Sequence, residues 1–176
     1  MNYQDIYDFW FTELTPNDWF SVNDALDKTI NNKFKVILDA AIAGELHHWR
    51  HTAMGALCEI IVLDQFSRNI FRGQAQAFRQ DPLALSLAQT AIDKGFDKQL
   101  NETEVGFMYL PFMHSESAKI HELAMMLYKD HPSYEFEAAH KAIIDQFGRY
   151  PHRNAILGRK STEQELTFLT QPNSSF

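Results

Sequence analysis

The chain has 176 residues and a formal net charge of −7, with 45% hydrophobic and 22% charged residues. This length and composition are those of one globular domain that can bury a sizeable core. An acidic chain lacks the excess of Lys and Arg that general nucleic-acid or membrane-surface binding requires, so we expect neither.

The cysteine count and the distribution of apolar residues narrow the class of protein further. Cys58 is the only cysteine, which excludes an internal disulfide and a thiolate metal cluster. It lies in an apolar stretch, where we expect a buried, inert thiol. The first residues carry no basic segment of a signal peptide, and no apolar run approaches the roughly 18 residues of a membrane span. We therefore expect a cytoplasmic protein.

Helical patterns follow one another along the chain. Apolar residues recur at spacings of three and four, and glycine or proline marks where most of these segments end. Thr162 with Glu165 three residues later is typical of a capping box. We find no alternating pattern typical of a β-strand. The predicted helices cover residues 23–43, 52–71, 81–94, 101–112, 115–130, 134–147 and 162–169.

The short connections between these segments predict antiparallel helical hairpins. From Asp81 onward the helices come in pairs of roughly 33 residues, the unit length of a tetratricopeptide array, although the consensus residues of that repeat are absent. The sequence therefore predicts an all-α array of antiparallel helical hairpins that is tetratricopeptide-like. We expect a single domain over residues 1–170 and a loose tail over 171–176.

A first polar segment, LDQFSRNIFRG at residues 63–73, lies at the end of an otherwise apolar predicted helix. Asp64, Arg68 and Arg72 follow at steps of four, which places them on one helical face. Burial of an unpaired charge costs several kcal/mol, so such residues are paired internally or face a ligand. An internal salt bridge and a binding site both fit this pattern.

A second polar segment follows the predicted helix end at Gly148. It is rich in cationic side chains and contains no acidic residue between Asp145 and Glu163. Arginine binds carboxylates and phosphates through two parallel hydrogen bonds, and loops between rigid helices commonly carry binding groups. The same arginines could instead satisfy helix carbonyls and surface acids. The cationic residues are Arg149, His152, Arg153, Arg159 and Lys160.

Histidines outside these segments have simpler explanations. His140 lies in line with apolar residues of its predicted helix and is interpreted as a core histidine. Ser115 is expected to cap the helix that follows it, with Glu116 in its first turn, whereas His114 lies outside that helix.

Glu137 and His140 form one half of a di-iron pattern that has no second half. The sequence has no zincin motif, phosphate-binding glycine loop or nucleophile elbow, so we expect no metal and no cofactor.

The most distinctive strings of the chain are LDQFSRNIFRG at 63–73, YLPFMHSE at 109–116, FGRYPHRN at 147–154 and LGRKST at 157–162. They resemble those of one family across nearly the whole chain, the domain-of-unknown-function family 924. Residues Phe9–Phe11 and the pair Trp19 and Phe20 also fit. The resemblance implies an all-helical, tetratricopeptide-like fold and implies no activity, cofactor or partner.

The leading hypothesis is a helical binding module whose arginine-lined pocket holds an anionic small molecule or a peptide carboxylate. One alternative is a hydrolase-type enzyme in which His114 or His152 acts as general base beside Glu116. Another is a purely structural or dimerising protein, and a homodimer is a base-rate expectation. The residues assigned to the pocket are Asp64, Gln65, Arg68, Asn69, Arg72, His114, Glu116, Arg149, His152, Arg153, Asn154 and Arg159.

Overall fold

The computed structural model describes residues 2–172 and 174–175. Within these ranges the regular structure is helical and no strand occurs, which confirms the all-α class. The tetratricopeptide-like arrangement stays a prediction. The α-helices are α1 (Tyr3–Asp8), α2 (Pro16–Trp19), α3 (Asp24–Ile42), α4 (Ala53–Ile61), α5 (Ser67–Ile70), α6 (Asp81–Asp93), α7 (Glu102–Met113), α8 (Ala118–Leu127), α9 (Tyr134–Phe147) and α10 (Glu163–Phe168).

Tighter and wider helical turns join several of these helices. The π-helical turns are Phe9–Glu13 and Val62–Phe66, and the 3₁₀ turns are His47–His51, Ala75–Phe78, Asp97–Gln99 and Pro151–Arg153. None of the helices in the described ranges combines the length and the apolar character that a bilayer crossing requires.

The backbone forms two compact units. The first unit contains the chain up to Arg72 together with Gln76–Pro111, and the second contains Gly73–Ala75 and the chain from Phe112 onward. The prediction of one domain over residues 1–170 stays a prediction. In the predicted tail 171–176, positions 173 and 176 lie outside the described residues, and Ser174 is buried.

In the first unit, α3 follows the sequence pattern closely. The Asn23 side chain accepts hydrogen bonds from the first backbone N–H groups and so caps the helix. The helix then buries a stripe of apolar side chains and ends before Gly44, whose φ of 75° favours glycine. Its buried residues are Leu26, Ile30, Phe34, Leu38 and Ala41.

The predicted helix 52–71 is interrupted. Thr52 caps α4 by accepting a hydrogen bond from the Gly55 N–H group, but Val62–Phe66 forms a π-helical turn before α5 begins. The side chains of α4 are buried on all sides. They include Cys58, whose pKa burial raises to about 12, as expected for an inert thiol.

The second unit is built on α8 and α9, which pack against each other. As predicted, α9 ends at Gly148, which has a left-handed φ of 68°. The predicted cap at Ser115 is wrong by two residues, because Ser117 occupies the N-cap position of α8. Glu116 therefore lies before the helix, where its carboxylate is free to receive hydrogen bonds from other segments.

Candidate functional site

In the first unit, Arg68 joins two buried or nearly buried carboxylates. Its Nη1 and Nη2 atoms donate to the two oxygens of Asp81 at 3.0 and 3.1 Å, and Nη1 lies 3.1 Å from Asp64 Oδ1. Asp64 is 1% exposed and also accepts a hydrogen bond from Gln65 Nε2 at 2.5 Å. The predicted pair of Asp64 and Arg68 is therefore present and ties the π turn to the first residue of α6.

Arg72 does not share the helical face of Asp64 and Arg68, because α5 ends at Ile70. It donates instead to Asp27 on α3, through Nε at 2.5 Å and Nη2 at 2.9 Å. Asn69 Nδ2 donates to the same carboxylate at 2.8 Å. Burial acts to raise the pKa of Asp27, but the hydrogen bonds from Arg72 and Asn69 outweigh it and the pKa is lowered.

In the second unit, Glu116 anchors the loop that follows α9. Its carboxylate accepts two hydrogen bonds from Arg159, at 2.5 and 2.8 Å, and a third from the Tyr150 N–H group at 2.7 Å. Burial acts to raise the pKa of Glu116, but these donors lower it overall. Asn154 extends the network by accepting from Arg159 Nε and donating to Ser161 Oγ.

Arg149 forms a separate bidentate pair with Glu165, at 2.6 and 2.8 Å. Glu165 also completes the capping box that the sequence predicts, since it accepts a hydrogen bond from the Thr162 N–H group at 2.7 Å. The Arg149 guanidinium is the main cause that lowers the pKa of Glu165 to about 2. This pair fixes α10 onto the end of α9.

Arg153 packs against an aromatic ring. It is 6% exposed, and its guanidinium carbon lies 4.5 Å from the ring centre of Tyr150, which is fully buried. Three imidazoles also surround this ring, with centre-to-centre distances of 5.6 Å for His152, 5.8 Å for His140 and 6.3 Å for His121. We call the group the Tyr150 cluster, and its members are His121, Glu137, His140, Tyr150, His152 and Arg153.

His121 and Glu137 are completely buried and lie 2.6 Å apart, from Nδ1 to Oε1. The other ring nitrogen of His121, Nε2, lies 2.8 Å from the carbonyl oxygen of Ser115 and 3.2 Å from the hydroxyl of Tyr150. That hydroxyl donates to the Met113 carbonyl at 2.5 Å. Burial raises the pKa of Glu137, although His121 and Lys141 act in the opposite direction.

His140 behaves as the core histidine that the sequence predicts. It is 6% exposed, and its Nδ1–H group donates to the Phe136 carbonyl at 2.7 Å. Burial is the main cause that lowers the pKa of His140 to about 3, and the charges of His114, His121 and Arg153 act in the same direction. His140 is therefore a neutral imidazole at physiological pH.

The residues predicted for the pocket thus fall into separate groups. Asp64, Gln65 and Arg68 form one network, and Asn69 and Arg72 meet at Asp27, all within the first unit. The others lie in the second unit, where Glu116, Asn154 and Arg159 form one network, Arg149 contacts Glu165, His152 and Arg153 join the Tyr150 cluster, and His114 lies near His140.

Sequence reasoning missed Tyr150 and His121 as members of a site. Tyr150 is in the middle of the FGRYPHRN string, where the sequence pattern indicated the charged residues as a site and gave no signal for the ring. His121 lies on the buried face of α8, where an isolated polar residue among apolar ones signals a partner.

In the described ranges no three His, Cys, Asp or Glu side chains are grouped so that they could hold a metal ion.

The sequence strings that build these networks match a known family model over residues 6–173. The chain belongs to DUF924, a family of bacterial proteins of unknown function. A solved structure, that of the protein of unknown function ATU0120 from Agrobacterium tumefaciens, is similar to this DUF924 chain with a TM-score of 0.91 and 37% identity. The match covers 95% of this chain and 96% of that one. No curated protein matches.

Proposed function

We propose that this DUF924 protein is a helical binding module and that its second unit binds an anion at Arg153. The ligand class is a carboxylate or a phosphate, carried by a small molecule or by the end of a peptide. The observation that carries the proposal is the buried Arg153 guanidinium, held against the ring of buried Tyr150 and surrounded by imidazoles.

The packing of Arg153 suits recognition of a planar anion. Contact with an aromatic face holds a guanidinium in one orientation. A guanidinium that is already ordered loses less conformational entropy when it binds a ligand. Low exposure also strengthens its electrostatic interaction with an anion, because water screens the charge less.

The local charge supports the same ligand class. The chain as a whole is acidic, yet residues 149–160 contain four Lys and Arg side chains and no Asp or Glu. Such a local excess of positive charge attracts anions and raises their concentration near the site. His152 adds a further hydrogen-bonding group beside Tyr150.

The other predicted arginines have a different assignment in this proposal. Arg68, Arg72, Arg149 and Arg159 each donate to carboxylates of their own unit. We assign these four to holding helices and loops in place, with Asp64, Gln65, Asn69 and Asn154 as their partners or neighbours. The proposed site is therefore smaller than the set of residues that the sequence suggests.

The hydrolase alternative receives less support from the geometry. It requires Glu116 to orient His114 or His152 as a general base. The Glu116 carboxylate already accepts hydrogen bonds from Arg159 and from the Tyr150 N–H group. A carboxylate engaged in this way anchors the loop and has a lowered pKa. We therefore propose binding and assign no reaction.

The test is a titration of the purified protein with inorganic phosphate and with acetate, followed by calorimetry at fixed ionic strength. Arg153→Gln removes the positive charge and keeps most of the side-chain volume. We expect this variant to lose at least tenfold in affinity, about 1.4 kcal/mol. Arg79→Gln makes the same chemical change at an exposed arginine of the first unit, and we expect it to bind as the unchanged protein does.

Circular dichroism spectra identify any variant that has lost its helical structure. Absence of binding by the unchanged protein, or equal binding by the Arg153→Gln and Arg79→Gln variants, would contradict the proposal.

A further inference from the structure

Three exposed histidines lie on one short turn of the first unit. The 3₁₀ turn His47–His51 has the sequence HHWRH, and the side chains of His47, His48 and His51 are all exposed. In the described ranges none of these three imidazoles makes a hydrogen bond or an ion pair. They belong neither to the arginine networks of the two units nor to the proposed anion site.

The two residues between the histidines fix the turn to the body of the first unit. Trp49 is 2% exposed, and its ring packs edge-on against the ring of Tyr3 with a centre-to-centre distance of 6.1 Å. Arg50 donates through Nε and Nη2 to the carboxylate of fully buried Glu59, with both distances 2.6 Å. The backbone that carries the histidines is therefore held in place, and a ligand bound there orders little more than side chains.

His48 is the central member of the three imidazoles. Its ring centre lies 5.8 Å from that of His47. Residues three apart lie above one another on a 3₁₀ turn, so His51 is on the same side as His48. Imidazole nitrogens bind zinc at about 2.0–2.1 Å, which keeps the centres of two rings on one ion within about 6.4 Å of each other. The rings of His47 and His48 already lie within this limit.

We propose that the turn His47–His51 binds a divalent transition-metal ion through His48 and at least one of its two neighbours, His47 or His51. Imidazole is a good ligand for Zn²⁺, Cu²⁺ and Ni²⁺, whereas Mg²⁺ and Ca²⁺ prefer oxygen ligands. No three described side chains form a ready metal cluster, so water completes the coordination of this ion. The proposal departs from the expectation of no metal that the sequence motifs give.

Charged groups near the turn act in both directions. The Arg50 guanidinium is paired with the Glu59 carboxylate, which compensates its charge. Lys94 Nζ lies 3.3 Å from the Arg50 carbonyl oxygen and opposes cation binding. Glu45 is exposed two residues before His47 and favours it. The net charge of −7 on the whole chain also attracts cations.

The experiment titrates the purified protein, without a histidine tag, with zinc chloride in a calorimeter. We expect one ion to bind per chain. His48→Gln removes the central imidazole and keeps a polar side chain of similar size, and we expect it to lower the affinity by at least about tenfold. His131→Gln makes the same chemical change in the second unit, after α8, and we expect it to bind zinc as the unchanged protein does.

A double variant tests whether two imidazoles act together. His47→Gln combined with His51→Gln leaves His48 as the one imidazole of the turn, and we expect it to bind zinc as weakly as His48→Gln does. Electron paramagnetic resonance of the Cu²⁺ complex counts the nitrogen ligands. The unchanged protein should show coupling to at least two imidazole nitrogens, and the double variant to no more than one.

The outcomes decide the proposal. A dissociation constant for zinc weaker than about 1 mM in the unchanged protein would overturn it. So would equal zinc affinity in the unchanged protein and in His48→Gln, or full affinity in the double variant. Because the three side chains are exposed, we expect the variants to keep the circular dichroism spectrum and Tm of the metal-free protein. The result is independent of anion binding at Arg153, which concerns the second unit.

Discussion

The two units use arginines from equally polar strings in different ways. In the first unit, Arg68 and Arg72 donate to Asp64, Asp81 and Asp27, which come from other turns and helices. In the second unit, Arg153 is buried against a tyrosine ring among imidazoles. Arg149 and Arg159 of the second unit also pair with carboxylates, so Arg153 differs from the other arginines in its burial and in its contact with an aromatic ring. We propose that this difference separates arginines that stabilise the fold from one that binds a ligand.

The largest expected effect lies in the second unit, at Glu137. Glu137→Ala removes the partner of the fully buried His121 and should lower the free energy of unfolding by about 3–5 kcal/mol. Urea denaturation followed by circular dichroism measures this change. Glu137→Gln should cost much less, because the amide keeps the volume and a hydrogen bond to the ring. Equal losses in the two variants would contradict the buried hydrogen bond as the cause.

Arg68→Ala in the first unit comes next. It removes the guanidinium that joins Asp64, which is 1% exposed, to Asp81, and should cost about 3 kcal/mol. If the units differ as described, this variant keeps its affinity for phosphate once corrected for stability. Arg153→Gln should show the opposite pattern, with lost affinity and a smaller loss of stability. Equal patterns in the two variants would show that both arginines serve the fold.

The pH dependence of stability tests the core of the second unit. The pKa of His140 is about 3 in the folded protein and near its ordinary value of 6.5 in the unfolded chain. Below pH 6.5 the imidazole binds a proton in the unfolded state but not in the folded state. The free energy of unfolding therefore falls as the pH drops from about 6.5 toward 3. His140→Gln should remove up to about 1.4 kcal/mol per pH unit from this slope.

Glu165 provides the internal control for that measurement. Its pKa is lowered from 4.5 to about 2 in the folded protein, so its contribution is present above pH 4.5 and is lost only as the pH falls further toward 2. The two ranges overlap between pH 4.5 and about 3, so His140→Gln should leave unchanged only the part of the curve below about pH 3. Urea titrations at closely spaced pH values resolve that part, and a change confined to it would contradict the role of His140.

The smallest expected effect is at Arg72. Its side chain is 37% exposed, and solvent screens its pair with Asp27, so Arg72→Ala should cost about 1 kcal/mol or less. Thermal denaturation measures this change. A loss as large as that of Arg68→Ala would show that exposure does not separate the two pairs.

Local rules in the sequence predicted much of the helical framework. The predicted helix starts at Asn23, Thr52 and Thr162 coincide with residues whose side chains cap helices, and Gly148 ends α9 in a left-handed conformation. These features depend on a few neighbouring residues, so the chain order is sufficient to predict them. The position of the cap before α8 was wrong because Ser115 and Ser117 are equally suitable in sequence.

The partners of the polar residues could not be predicted in the same way. Arg72 meets Asp27 across 45 residues, and Arg159 meets Glu116 across 43. Such pairs depend on which helices pack together, and helical periodicity does not contain that information. The π turn is a second example, because the periodicity of an α-helix continues through it. The role of the Tyr150 ring was not predicted, because the site prediction was based on the charged residues next to it.

The π turn at Val62–Phe66 also sets the direction of the side chains that follow it. A wider turn accommodates an extra residue within a helix. If the same residues formed a continuous α-helix instead, every later side chain of α5 would lie about 100° further around the axis. Arg68 would then point away from Asp81. The wide turn thus absorbs one residue and keeps Arg68 facing Asp81, and a chain shorter by one residue here could keep the same pair through an uninterrupted α-helix.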